Sequence, residues 1–293
     1  MEEFRNIGII GRLGSNKVIE TVRRLKHYLV EEGYHVILQD RIAEVIPGHG
    51  MQVSTQKLLG EICDLVIVVG GDGSLLGAAR ALAKHNTPVL GINRGRLGFL
   101  TDISPDEGLE EAVQDVLDGK YLSEQRFLLD AEIKRNGVPL AASEALNDVV
   151  LHPGKSARMI AFDLYIEGQF VHHQRADGMI VSSPTGSTAY ALSGGGPIMH
   201  PKLDAIVLVP MFPHTLSSRP IVVDGNSEIK LVIGDSNETY PTVSCDGQKH
   251  IPCAPGDVVT IRKKPHKLKL IHPKDHNFYE ICRTKLGWEK AGS

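Results

Sequence analysis

The segment Asp64–Arg80, with the sequence DLVIVVGGDGSLLGAAR, decides the fold of the first part of this chain. Leu65–Val69 is an unbroken apolar run, rich in β-branched residues and too short for a helix. It predicts a strand that is buried on both faces of a parallel sheet. The glycines of the GGDG motif allow a sharp turn and a close approach to a ligand, and helical spacing begins at Ser74. The motif therefore lies where a strand ends and a helix begins, a position that favours anions.

Asp72, the charged residue of this motif, conflicts with a simple phosphate-binding loop. A carboxylate repels phosphate unless a cation accompanies the phosphate, or unless the carboxylate accepts a proton from a hydroxyl group. The alternative is a tight connection with Asp72 exposed in the turn. The four residues of the motif leave both interpretations open.

Length, charge and cysteine usage narrow the class of protein. The 293 residues suggest two domains, and a net charge of −3 gives no overall attraction to nucleic acid or to an anionic membrane. No apolar run approaches the roughly 18 residues of a membrane helix, and the first residues lack the features of a secretory signal. The cysteines at 63, 245, 253 and 282 form no CxxC pair. We therefore expect a cytoplasmic protein with reduced thiols and no zinc site formed by these cysteines.

Residues 1–120 alternate strand and helix patterns, which predicts a doubly wound parallel sheet. Beside the organising strand, the pattern predicts strands at Asn6–Gly11, Val36–Leu38 and Val89–Asn93, helices at Lys17–Glu32 and Pro105–Leu117, and a loop leading to a short helix over Ile42–Gly60. The loop after the last of these strands carries Arg94 and Arg96. Both could reach a phosphate if that strand neighbours Leu65–Val69, and solvated surface arginines are the alternative.

Residues 121–270 have a different pattern, in which short apolar segments are separated by turn dipeptides such as NG, EG, DG and PG. This pattern predicts an antiparallel β-rich domain. Strands are expected at Phe127–Ile133, Phe162–Ile166, Met179–Ser183, Ile206–Val209, Ile229–Ile233 and Val258–Ile261. The basic run that begins at Arg262 is interpreted as a solvated edge strand. Residues 271–293 form a last segment that can pack back on the first domain.

Two polar clusters lie beside apolar segments in this second part, one after a predicted strand and the other just before Val149–Leu151. Ser183–Pro197, with the sequence SPTGSTAYALSGGGP, offers hydroxyl donors and a tyrosine ring on which a base can stack, and a capped turn is the alternative. Asn147 and Asp148 offer an amide and a carboxylate that can bind a base edge and a ribose hydroxyl, and a turn is again the alternative. The neighbouring His172 and His173 point to opposite faces of a strand, so we assign them no metal role.

In combination, these motifs resemble the bacterial NAD kinase family, which phosphorylates NAD to NADP. The matching segments are GGDG at 70–73, NRGRLGFLT at 93–101, Asn147–Asp148, Asp177–Gly178 and SPTGSTAY at 183–190. They cover nearly the full length of the chain in the family's order. The resemblance implies an α/β domain followed by a β-rich domain, with the active site in the cleft between them.

The resemblance also implies roles for individual residues. Asp72 would accept the proton of the 2′-hydroxyl of the adenosine ribose. The residues expected to contact the dinucleotide are Gly73, Asn147, Asp148, Arg158, Arg175, Asp177, Thr188, Ala189, Tyr190, Ala191, Leu192, Ser193 and Gln248. No residue is assigned to a metal.

ATP and NAD are the substrates that the resemblance implies, with a divalent cation, Mg²⁺, bridging the phosphates of ATP. It further implies a cytoplasmic homo-oligomer, a tetramer or a dimer. Two other functions stay open. One is a lipid kinase of the diacylglycerol or sphingosine kinase type, which shares the GGDG motif, and the other is a pyridine-nucleotide sensor without catalytic activity.

Overall fold

The structure, a computed structural model, describes residues 4–95, 98–106, 108–156, 158–238 and 240–288. The chain forms two compact units. The first contains the residues up to 125 and the segment from 267 onward, and the second contains residues 126–266. Within the described ranges, we find no helix with both the length and the apolar character needed to cross a lipid bilayer.

The first unit is built on a parallel sheet. Its strands are β1 (Asn6–Gly11), β2 (His35–Gln39), β3 (Gln52–Ser54), β4 (Leu65–Gly70) and β5 (Val89–Asn93). Its helices are α1 (Asn16–Glu31), α2 (Asp40–Ala43), α3 (Gln56–Ile62), α4 (Asp72–Leu82), α5 (Leu109–Leu117) and α7 (Phe278–Leu286), with a 3-10 turn at Ala83–His85. The strand order is β5-β4-β1-β2-β3, and every pair is parallel. The predicted doubly wound parallel sheet is therefore confirmed.

The apolar run of β4 is explained by its burial on both faces. Leu65, Ile67 and Val69 belong to a core that also contains residues of α1 and α5. Val66 and Val68 point to the opposite face and are also fully buried. Because successive side chains of a strand alternate between faces, a strand covered on both sides requires apolar residues throughout.

Two elements of the first unit differ from the prediction. Helix α5 begins at Leu109 and not at Pro105, because Gly108, directly before it, has a left-handed backbone conformation that cannot be part of a right-handed helix. The segment predicted as a loop leading to a short helix over Ile42–Gly60 does lead into a short helix, α3, but it also contains strand β3, which was not predicted. Two of the three residues of β3 are exposed, so it has no apolar pattern that could reveal it.

The second unit is antiparallel. Its strands are β6 (Tyr121–Arg135), β7 (Val138–Ala145), β8 (Asp148–His152), β9 (Ile160–Ile166), β10 (Gln169–Ala176), β11 (Gly178–Ser182), β12 (Ala205–Met211), β13 (Ile221–Asp224), β14 (Ile229–Ile233), β15 (Thr242–Cys245), β16 (Lys249–Pro252) and β17 (Val258–Pro273). The first five residues of β6 and the residues of β17 from 267 onward lie in the first unit. A 3-10 turn at Thr185–Thr188 and the short helix α6 (Tyr190–Ser193) complete it.

A single core joins the two sheets of this unit. One sheet has the order β13-β12-β11-β8-β15-β16, and the other contains β10-β9-β14 followed by β17. Val149 and Val181 of the first sheet share a core with Phe162 and Leu231 of the second. The predicted β-rich fold is thus confirmed.

The basic run lies inside the long strand β17, which also pairs with β6. The residues of β17 that pair with β14 are Val258–Ile261, before the run, so the edge-strand interpretation of the run itself stays a prediction. Leu270 and Ile271, near its end, pair in parallel with Val89 and Leu90 of β5. The lysines alternate with apolar residues because one face of this strand is buried.

Candidate functional site

The GGDG motif lies at the carboxyl end of β4 and opens α4, as the sequence predicts. Gly70 is required by close packing, because a Cβ at this position would stand 2.4 Å from Ser74 Oγ. The Gly70 carbonyl accepts a hydrogen bond from the N–H of Arg94, at 2.7 Å. The loops after β4 and β5 therefore meet at the same edge of the sheet.

The carboxylate of Asp72 is held by the loop that follows β5. Oδ2 accepts a hydrogen bond from the N–H of Phe99 at 2.8 Å, while Oδ1 accepts from the N–H of Leu100 at 3.1 Å and from Thr101 Oγ1 at 3.2 Å. Each carboxylate oxygen offers about two acceptor sites. Oδ2 therefore retains capacity for one more donor, such as a substrate hydroxyl, while the side chain is held in a fixed orientation.

Of the two arginines that could reach a phosphate from this loop, the structure describes Arg94. Arg94 donates to Asp106 Oδ1 at 2.7 Å and to the hydroxyl of Thr21, and its side chain is 15% exposed. It is therefore held in a polar network and is not a freely solvated arginine. Arg96 lies outside the described residues.

A cavity of about 610 Å³ lies in the second unit and contains five of the residues predicted to bind the dinucleotide. Those five are Asn147, Asp148, Asp177, Ala189 and Tyr190. The cavity is also lined by Val150, His152, Pro153, Ser156, Met211, Ser244, Asp246 and Gly247. Its volume is typical of sites that bind small molecules.

Asp246 fixes the backbone that carries Asn147 and Asp148. Its carboxylate accepts hydrogen bonds from the N–H groups of Leu146 at 3.1 Å and Asn147 at 2.8 Å. Its own N–H donates to the carbonyl of Asp148 at 3.0 Å. Asp246 is not among the residues predicted for the site, although the SCDG segment at 244–247 has an acid and a glycine together, as is typical of a turn.

The two carboxyl groups of this cavity have different environments. Burial raises the pKa of Asp148 to about 7, and the negative charge of Asp246 adds to this effect. Asp246 accepts hydrogen bonds from backbone N–H groups. Asp148 can therefore change its protonation state near neutral pH, when a ligand or a change of pH alters its surroundings.

Asn147 has an acceptor that the protein itself does not use. Its Oδ1 is buried and has no hydrogen-bond partner among the described residues. Because burying an unpaired acceptor is unfavourable, this atom is suited to a donor on a bound ligand.

The hydroxyl-rich segment packs directly on the Asn147 region, so the structure brings two of the predicted clusters together. The Asn147 carbonyl accepts from the N–H of Ser183 at 2.9 Å and from Ser182 Oγ at 3.1 Å. Gly186 lies so close that a Cβ there would stand 2.3 Å from the same carbonyl oxygen. The glycine thus allows the close approach of protein backbone.

The other predicted contacts do not line this cavity. Arg158 is exposed and forms an ion pair with Glu238, Arg175 is exposed on β10, and Gln248 is exposed in the turn between β15 and β16. Thr188 ends the 3-10 turn, Ala191 is fully buried in a core, Leu192 is half-buried, and Ser193 faces a second cavity. Gly73, in the first unit, is exposed in the first turn of α4.

Comparison with protein families identifies both parts of the chain. Residues 7–121 match the N-terminal domain of ATP-NAD kinase, and residues 146–273 match its C-terminal domain. The chain belongs to the NAD kinase family. The NAD kinase of Hahella chejuensis (strain KCTC 2396) is 73% identical over 291 residues, which cover 99% of this chain and 98% of that protein. The NAD kinase of Pseudomonas entomophila (strain L48) is 73% identical over 288 residues, which cover 98% and 97%.

Solved structures of NAD kinases share this fold. The yeast NADH kinase complexed with NADH superposes with a TM-score of 0.88 at 26% identity, covering 99% of this chain and 90% of that one. An NAD kinase from Archaeoglobus fulgidus in complex with ATP superposes with a TM-score of 0.71 at 26% identity, covering 97% and 98%. The chain is thus an enzyme of the NAD kinase family, and these comparisons do not favour the lipid kinase or the sensor without activity.

Proposed function

We propose that this chain transfers the terminal phosphoryl group of ATP to the 2′-hydroxyl of the adenosine ribose of NAD, giving NADP and ADP, and that Asp72 accepts the hydroxyl proton. The observation that carries the residue assignment is the Asp72 carboxylate, which is oriented by Phe99, Leu100 and Thr101 and retains an acceptor site on Oδ2. Membership of the NAD kinase family supports the reaction.

The chemistry requires a group of this kind. Phosphoryl transfer passes through a loose transition state with its charge on the phosphoryl oxygens, so positioning the attacking hydroxyl contributes much of the catalysis. A positioned base adds about 10²–10⁴-fold to the rate. A hydrogen bond from the ribose hydroxyl to Oδ2 would orient its oxygen for in-line attack and receive the proton that is released.

We propose that the divalent cation, Mg²⁺, arrives with the phosphates of ATP, where it screens their negative charge. We assign Asp72 to the base and not to the metal, because Oδ1 already accepts two donors and the one acceptor site left on Oδ2 is the site proposed for the ribose hydroxyl. A carboxylate that accepts N–H and O–H groups is arranged to bind hydrogen-bond donors, whereas Mg²⁺ requires free oxygen lone pairs in a near-octahedral arrangement.

For the dinucleotide, we propose that the cavity beside Asn147 holds a nucleoside part of NAD. Asn147 Oδ1 would accept a hydrogen bond from the exocyclic amino group of a base, because this acceptor is buried and unpaired within the described chain. Tyr190, which is 47% exposed at the cavity, offers a ring for stacking. The predicted contacts of Gly73, Arg158, Arg175, Asp177, Thr188, Ala189, Ala191, Leu192, Ser193 and Gln248 stay proposals, as does the location of the active site between the two domains.

We further propose a cytoplasmic homo-oligomer, a tetramer or a dimer. The four cysteines are free and buried, which suits a reducing compartment. Phe212 is 80% exposed and Leu216 is 92% exposed, and both line an apolar cavity of about 500 Å³ that a second copy could cover. Light scattering on the purified protein checks this, and a monomeric mass at micromolar concentration would contradict it.

Purified protein with NAD, ATP and Mg²⁺ tests the reaction, with NADP measured by an NADP-specific dehydrogenase. We expect NADP to form, and we expect Asp72→Asn to lose about 10²–10⁴-fold in kcat while its affinity for NAD changes only a few-fold. The matched control is Thr101→Val, which removes one donor to the carboxylate but leaves the carboxylate in place. If Asp72→Asn kept wild-type turnover, the assignment of the base would be wrong. If Thr101→Val lost as much as Asp72→Asn, the loss would reflect the loop and not the base.

A further inference from the structure

A cluster of side chains of the types that bind metals lies in the first unit. Asp102 follows β5, His272 lies near the end of β17, and His276 lies in the turn before α7. Asp102 Oδ2 stands 3.1 Å from His272 Nδ1 and 2.6 Å from His276 Nδ1. Each residue offers one ligand atom, and these atoms lie within 4.8 Å of one another. Two segments that are far apart in the sequence, one with Asp102 and one with His272 and His276, therefore converge on one point.

The cluster is shielded from solvent and its hydrogen bonds are incomplete. The His272 side chain is fully buried, while those of His276 and Asp102 are 5% and 9% exposed. Asp102 Oδ1 and His272 Nε2 are buried and lack hydrogen-bond partners among the described residues. One oxygen of Asp102 thus faces both imidazoles while the other is unpaired. Buried polar atoms of this kind are rare unless an ion or water completes the site.

The surroundings of His272 point to a cation rather than to hydrogen bonds alone. If both histidines donate from Nδ1 to Asp102 and stay neutral, then His272 Nε2 carries a lone pair. That lone pair faces the carboxylate of Glu124, whose Oε2 is 3.7 Å away. If Nδ1 instead binds a metal, Nε2 carries the proton and can donate it toward Glu124. A histidine that binds a metal through one nitrogen and donates to a carboxylate through the other is the usual arrangement.

We propose that Asp102, His272 and His276 bind one transition-metal dication, with Zn²⁺ as the best match, through one carboxylate oxygen and the two Nδ1 atoms. Two imidazoles and one carboxylate suit zinc, and a water molecule would occupy the fourth position. Mg²⁺ prefers an all-oxygen octahedral shell, so this site differs from that of the cation that accompanies ATP.

The geometry needs a small adjustment to hold the ion. Zinc–ligand distances of about 2.0–2.1 Å put neighbouring tetrahedral ligands about 3.3 Å apart. The contact of Asp102 with His272 is already close to this value, and the contact with His276 must lengthen by under about 1 Å. The two rings are stacked, with centroids 3.8 Å apart and an angle of 24° between their planes. His276 lies in a turn, so it can rotate until both lone pairs converge.

The site would join the C-terminal segment to the loop that holds Asp72. Asp102 directly follows Leu100 and Thr101, which donate to the Asp72 carboxylate. His272 and His276 are separated from Asp102 by 170 and 174 positions in the chain. A bound ion would therefore fasten the end of the chain to the loop that orients Asp72.

Zinc content tests the proposal directly. The full-length protein, with any affinity tag removed, is stripped with EDTA, incubated with ZnCl₂ and passed through gel filtration before elemental analysis. We expect about one zinc per chain for the wild type and a loss of at least about tenfold in retained zinc for His276→Gln. The matched control is His173→Gln, because His173 Nδ1 also faces a carboxylate, Asp163, at 2.7 Å. We expect this control to keep the zinc. Equal zinc in the wild type and His276→Gln, or no retained zinc in the wild type, would overturn the proposal.

A measurement on the wild type alone decides the case in which His276→Gln does not fold. X-ray absorption at the zinc edge reports the neighbours of the bound ion. Two imidazole nitrogens and oxygen ligands at about 2.0–2.1 Å support the site. A shell of oxygen atoms alone would show a surface ion and would overturn it. NAD phosphorylation is not the readout in either experiment, so this inference and the proposed function succeed or fail separately.

Discussion

Gly98 lies against the carboxylate of Asp72 so closely that a Cβ at residue 98 would stand 2.0 Å from Asp72 Oδ1. The same Cβ would stand 2.5 Å from Thr101 Oγ1, which donates to that oxygen. No side chain can occupy this position without moving the carboxylate or the loop. The proposed base and this glycine therefore depend on each other.

We expect Gly98→Ala to lower kcat by about tenfold or more, because the methyl group displaces a carboxylate that must be placed within a fraction of an ångström. The matched control is Gly95→Ala in the same loop, where a Cβ would meet nothing closer than Asn93 Oδ1 at 3.8 Å. Steady-state kinetics with both variants checks this. Equal kcat for Gly98→Ala and the wild type would contradict the described contact between residue 98 and Asp72.

Asn147→Ala is expected to weaken NAD binding by about 10–100-fold with little change in thermal stability. The reason is that Asn147 Oδ1 is buried without a partner in the described chain, so its removal breaks no internal hydrogen bond of that atom. Isothermal titration calorimetry and thermal melting measure the two effects.

Asn237→Ala is the matched control for this variant. The Asn237 side chain accepts from the N–H of Ala161 at 2.8 Å and donates to the carbonyls of Ala161 at 2.8 Å and Gly234 at 2.7 Å. We expect it to lose stability and keep its affinity for NAD. A large loss of stability without loss of affinity in Asn147→Ala would show that this side chain has a structural role.

The free energy of unfolding should depend on pH through Asp148. Its pKa in the folded protein, about 7, is above the ordinary value of 3.8, so the folded state binds more protons between these limits. The stabilisation that protonated Asp148 provides is complete below about pH 4 and is lost as the pH rises to about 7. The full difference is on the order of 4 kcal/mol.

Asp148→Asn should remove this dependence, because the amide stays neutral. The variant is therefore expected to gain stability relative to the wild type as the pH rises from 5 to 8. Urea unfolding at several pH values measures the effect. Parallel curves for the wild type and the variant over that range would refute the assignment of the raised pKa to Asp148.

Much of the fold can be predicted from local sequence patterns. Strand β4 can be predicted from the sequence, because a strand that is buried on both faces requires an uninterrupted apolar run. Strand β3 could not be found, because it is three residues long and mostly exposed. The pattern puts the start of α5 too early, because it does not reveal the left-handed backbone conformation of Gly108 before the helix. The parallel pairing of β17 with β5 joins distant segments, and no local pattern encodes it.

In the candidate site, too, some residues can be predicted from local sequence patterns and others cannot. The sequence motifs identify Asp72, Asn147 and Asp148 because unusual residue types stand beside glycines or strand ends. The residues that orient them are less visible. The backbone N–H groups of Phe99 and Leu100 act on Asp72 whatever their side chains are, so no residue type marks them. Asp246 acts through a backbone turn, and Asp102 joins His272 only in the folded chain.

The return of residues 267 onward to the first unit has a consequence for how the protein is made. A ribosome releases the whole of the second unit before it supplies Leu270 and Ile271, which pair with β5. Until then the parallel sheet has an open edge at β5, with unpaired backbone groups that invite aggregation. The unit that contains the N-terminal residues therefore gains its last strand pairing only after residues 270 and 271 have been synthesised.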